Sequence, residues 1–200
     1  MLKFFFLFAF VLLCSFRSFA QQRIHWSPDY QLGIQDFASP KTKVGAQSNY
    51  INSSAQMDFS FQMSNAEFMF SKNFNTKVNT IFVPEAAVIL ADSESSMKKL
   101  LNFARYEFDL IELYSRKFRK SMYDNKGAFS SISFFEPLYY ELQKELAGRH
   151  SDAAEETNLG FVEDRLVTLH GEVKRELHEL ADFCKDCKPP KKKKLANSVD

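Results

Sequence analysis

The chain has 200 residues, with 26 Lys and Arg against 25 Asp and Glu and a formal charge of +1. That even balance excludes a dedicated nucleic-acid binder, which carries a large basic excess. At 45% hydrophobic and 15% aromatic residues the chain is also far from the composition of a disordered protein, and its length suits one domain with short extensions.

Residues 1–20 read as a signal peptide. Lys3 precedes an apolar run from Phe4 to Cys14, and Ser18-Phe19-Ala20 puts small residues at both recognition positions of a cleavage site. The run falls short of the roughly 20 apolar residues of a membrane span. Leu13 is too bulky for a lipoprotein cleavage site ahead of Cys14. The expectation is a mature chain from about Gln21, without a transmembrane segment and exported to the periplasm, the outer membrane or the outside.

Residues 24–40 mix aromatics with turn formers, among them Trp26, Pro28, Tyr30 and Phe37. From Ala46 to about Val83 the text reads as three to four antiparallel strands. Met57, Phe59 and Phe61 alternate with Asp58, Ser60 and Gln62, a period of two, and Phe68 and Phe70 continue the β character. After Pro84 the period changes. Met97, Leu100, Leu101, Ala104, Phe108, Ile111, Tyr114, Phe118 and Met122 draw one stripe down a helix over 93–123, capped by Asp92 or Ser93 and stopped by Asn125-Lys126-Gly127. A second helix is predicted over 136–147, ended by Gly148, followed by an irregular polar stretch over 150–160. A third covers 161–183, with Val162, Leu166, Leu169, Val173, Leu177 and Leu180 on one face. The fold class expected is α+β: an N-terminal antiparallel sheet packed on a long helix, with two further helices, in one domain over residues 21–187.

Cys184 and Cys187 end the third helical pattern. In an oxidising compartment a nearby pair becomes a disulfide. A redox pair would instead open a helix, whose N-terminal field lowers the thiol pKa. A metal half-site is the remaining reading, two ligands short of a structural zinc. Residues 188–200 form a predicted disordered tail, whose Lys188 and Lys191–Lys194 offer contact with anionic surfaces.

The long helix carries a resemblance. It reads Leu100-Leu101-Asn102-Phe103-Ala104-Arg105-Tyr106-Glu107-Phe108-Asp109-Leu110-Ile111-Glu112-Leu113-Tyr114-Ser115-Arg116-Lys117, preceded by Trp26-Ser27 and Leu32-Gly33-Ile34-Gln35-Asp36-Phe37 and followed by Glu156-Thr157-Asn158-Leu159-Gly160. These landmarks resemble the bacterial domain of unknown function 922 family, exported domains whose motif implies zinc-dependent proteases of zincin-like fold. In that family the helix carries His-Glu-x-x-His, and the later element supplies a third histidine. Two histidines four apart share one helix face and one zinc, while the glutamate deprotonates the metal-bound water. Here the corresponding positions are Phe103, Ala104, Glu107 and Leu159. Three of the four have no lone pair for a cation and none of the reacting groups.

The resemblance therefore implies a degenerate member with no metal and no cofactor: a noncatalytic envelope protein that binds another envelope protein. The alternative is a divergent hydrolase using Glu107 with other ligands. A core helical protein without zincin ancestry would also place Phe103 and Leu159 inside. Refilling of an emptied metal pocket predicts contact between Phe103 and Leu159, with Glu107 facing a basic partner or solvent. His170 and His178 are expected on a solvated face, and His25 and His150 alone. No motif supports a Ser-His-Asp triad, and the 6 Gly include no phosphate-binding loop.

Overall fold

A computed structural model describes residues 22–59, 63–71, 73–127 and 130–191. The signal-peptide reading of residues 1–20, the Ser60, Phe61 and Gln62 part of the predicted alternation, and Lys192–Lys194 of the tail lie outside the described residues. The fold is α+β. In place of one antiparallel sheet, the described residues form two sheets of three strands each. In the first, β5 (Val78–Phe82) lies between β1 (Ile24–His25) and β4 (Ala55–Phe59), antiparallel to both, with Ile24 opposite Phe82 and Phe59 opposite Val78. In the second, β6 (Val88–Ala91) runs parallel to β2 (Lys43–Val44) and antiparallel to β3 (Tyr50–Asn52). The chain changes sheets at Ser53-Ser54, where Ser54 takes a left-handed φ of 53°. That break divides what the sequence suggests is one continuous sheet.

Phe68 and Phe70, predicted as strand, belong to a short helix, α1 (Asn65–Phe70). The local cause is a cap: Ser64 Oγ accepts the Glu67 backbone N–H at 3.1 Å, which supplies a partner to an N–H the helix leaves open. Capping outweighs the aromatic strand preference.

The long helix, α2 (Glu94–Asn125), starts at Ser93, whose Oγ accepts the Ser96 N–H at 3.2 Å. Its 32 residues make a rod about 48 Å long. The predicted stripe is only half of what it buries. Met97, Leu100, Leu101, Ala104 and Phe108 pack with Leu32, Phe37, Phe82 and Ile89 on one side. Phe103, Tyr106, Leu110, Leu113 and Phe118 pack on the other with Leu166, Leu169, Val173 and Leu177. A helix covered on both sides is the axis of the core, not a surface helix with one apolar face.

Gly148 does not end the next helix. α3 runs from Phe135 to Thr157, through the stretch predicted as irregular. A helical glycine costs only about 1 kcal/mol against alanine, and the buried Ala153 and Thr157 hold the extension against the core. The true stop is Asn158-Leu159-Gly160, three successive residues with φ of 46°, 55° and 94°. α4 (Glu163–Glu179) then buries Leu166, Leu169, Val173 and Leu177, a narrower span than the predicted 161–183. A 3-10 turn (Ala181–Phe183) follows, then the bonded sulfurs of Cys184 and Cys187. Among the described residues no helix is long and apolar enough to cross a membrane.

Candidate functional site

Phe103, Ala104 and Leu159, three of the four positions that the sequence aligns with a zinc motif, are taken up by packing. Phe103 is 1% exposed, its ring centroid 6.0 Å from that of Tyr106 and 5.8 Å from that of His150. Ala104 is buried with the cluster that faces the second sheet. Leu159 packs against both core clusters, including the one that contains Phe103. A Cβ on the neighbouring Gly160 would come within 2.6 Å of the Lys99 carbonyl oxygen and 3.2 Å of the Phe103 Cβ. This tight turn holds the Leu159 region against the N-terminal third of α2.

Glu107 lies on the same side of the helix, one turn beyond Phe103. Its Oε1 is hydrogen-bonded to Nε2 of His150 on α3, so His150 does not stand alone as the sequence suggests. The hydrogen bond that His150 donates to the Glu107 carboxylate raises the His150 pKa above its ordinary value, against the opposing effect of burial. The other carboxylate oxygen, Oε2, is buried without a partner among the described residues. As a test of zinc, the donor set fails on chemistry. Phe103, Ala104 and Leu159 carry no donor atom, and Glu107 with His150 makes two groups where catalytic zinc takes three protein ligands. Among the described residues no group of three or more His, Cys, Asp or Glu is placed to hold a metal ion.

Five residues further along, Glu112 anchors a second and wholly buried polar cluster. Its Oε1 accepts Arg116 Nε at 3.0 Å and Arg119 Nη1 at 2.8 Å, and its Oε2 accepts Thr80 Oγ1 at 2.8 Å. The guanidiniums reach on to backbone oxygens: Arg116 to Leu177, and Arg119 to Val78 and Phe183. One carboxylate thus ties α2 to β5, to the end of α4 and to the turn before the cysteines.

The opposite side of α2 from Glu107 carries Arg105, Asp109 and Arg116. Asp109 accepts the Trp26 indole N–H at 2.7 Å through Oδ1 and meets His170 Nε2 at 2.7 Å through Oδ2. His170 is therefore half-buried and partnered, with its ring edge-on to Tyr106 at 5.9 Å, instead of lying on a solvated face. His178 is exposed as expected. The Arg116 guanidinium stacks over Trp26 at 5.2 Å. Arg105 Nε donates to the Leu32 carbonyl at 2.8 Å and Nη1 to Asn102 Oδ1 at 2.9 Å; burial lowers its pKa. Burial pushes the Tyr106 hydroxyl up to about 12. The sequence assigns Asp109 no role and places His170 on a solvated face and His150 alone, although Trp26-Ser27 and Phe108-Asp109 both belong to the quoted landmarks and Trp26 and Asp109 meet in space.

No family model, no curated protein and no solved structure matches this chain.

Proposed function

We propose that the protein is a noncatalytic exported protein of the bacterial envelope, a degenerate relative of zincin-like proteases that acts by binding another envelope protein. The observation that carries this reading is Phe103. At the position of a metal-binding histidine stands a ring 1% exposed, packed against two other rings and beside the Gly160 turn. An emptied site that repacks keeps the framework and avoids the cost of a cavity. Recognition needs only the framework. Met69 and Phe70 on α1, 69% and 82% exposed, offer apolar contact to a partner.

One observation favours the competing reading, a divergent hydrolase: the unpartnered Oε2 of Glu107 beside His150. Two measurements on the full chain separate them. The expected result is no zinc-dependent cleavage of denatured casein, and co-purification from native envelopes of a defined protein that is lost in Met69→Ser/Phe70→Ser. Chelator-sensitive cleavage abolished by Glu107→Ala would overturn the reading.

A further inference from the structure

A cleft of about 530 Å³ opens between residues 26–32, the middle of α2 and the C-terminal half of α4. Its volume is that of a small-molecule site. It lies about half a turn around α2 from Phe103 and Glu107, so it is separate from the pair that Glu107 forms with His150. Trp26, the chain's single tryptophan, is half-buried in its wall with Leu177 and Phe108. The indole is fixed on both sides, by its hydrogen bond to Asp109 and by the Arg116 guanidinium over its face. Such a rigid ring gives contact area at low entropic cost.

The charge of the lining is unbalanced. Arg105, Arg116 and Lys174 face it, against Asp29 and Asp109. Both oxygens of Asp109 are taken by Trp26 and His170, and the carboxylate that serves Arg116 is shared with Arg119. Among the described residues Arg105 bonds only to neutral oxygens, a backbone carbonyl and an amide. Lys174 and His178, one turn apart on α4, have no side-chain partner among the described residues. Asp29 is the one lining carboxylate without a side-chain partner among the described residues. A half-enclosed wall with surplus cations and a fixed aromatic ring is complementary to an anion with an apolar body.

We propose that this cleft binds a small organic carboxylate, its apolar body against Trp26 and Leu177 and its charge met by the cations of α2 and α4. The proposal is independent of the protein-binding reading above. The probes are N-acetylphenylalanine, benzoate and octanoate, each beside its neutral amide, and inorganic phosphate as a bare anion. They are titrated into the full chain by calorimetry, with Trp26 fluorescence as a reporter inside the cleft. The expected result is saturable binding of at least one carboxylate with a matching change in fluorescence. Its amide and phosphate bind at least tenfold more weakly. Lys174→Glu, at an exposed position, or Arg105→Gln, checked for an unchanged circular dichroism spectrum, weakens it at least fivefold. No saturable carboxylate binding overturns the proposal. So does equal binding of amide or phosphate, and so does an affinity unmoved in both variants.

Discussion

Glu107 and Glu112 stand five residues apart on one helix and live in opposite regimes. Glu112 is 2% exposed and its two oxygens are met by two guanidiniums and a hydroxyl. Glu107 has one imidazole partner on one oxygen and none on the other. A buried carboxylate that is fully hydrogen-bonded becomes a structural keystone; one that is half-satisfied stabilises little. The difference teaches where the framework is held: by the Glu112 cluster together with ring packing at Phe103, and not by Glu107.

The sharpest break of this contrast is removal of each group. Glu112→Ala leaves two buried guanidiniums without their carboxylate and should cost about 3–5 kcal/mol, read as a large drop in the denaturant midpoint at constant slope. Phe103→Ala should cost a comparable ~3–5 kcal/mol through its cavity. Glu107→Ala in the same assay should cost far less than either. Equal losses at Glu107 and Glu112 would break the comparison.

Gly160→Ala probes the turn that presses on Phe103. The new Cβ would meet the Lys99 carbonyl at 2.6 Å, at a φ of 94°. A strained backbone of this kind costs about 1–3 kcal/mol, measured by thermal melting. An unchanged melting temperature would mean the turn is free to move away from α2.

The smallest effect is in pH. Because the folded His150 pKa is raised above the ordinary 6.5, the charged pair with Glu107 contributes its stability fully below the unfolded pKa. That contribution is lost as pH rises through the folded value. Stability should therefore decline slightly from about pH 6 upward past the raised pKa, and Glu107→Gln should flatten the decline. An identical profile in the variant would assign the slope to another group.

Much of the frame was legible because its signals are local. The long helix follows from its three-and-four spacing and from Ser93, and the face of α4 from Leu166, Leu169, Val173 and Leu177. Where local signals compete, the reading fails. Phe68 and Phe70 look like strand until the Ser64 cap is weighed, and Gly148 looks like a stop until the packing of Ala153 and Thr157 is known. The two-residue strands β1 and β2 carry no periodicity at all. The site residues divide the same way. Phe103, Ala104, Glu107 and Leu159 stand out by departing from a motif. The partners His150, His170 and Trp26 join α2 across 43, 61 and 83 positions, and only the packing of α3, α4 and the N-terminal loop brings them together.

The most direct measurement is the zinc content of the purified full chain, determined by elemental analysis after equilibration with zinc and exhaustive dialysis. The account predicts a content far below one zinc per chain, the same for the wild type and Glu107→Ala. One tightly held zinc per chain in the wild type, absent from Glu107→Ala, would contradict it.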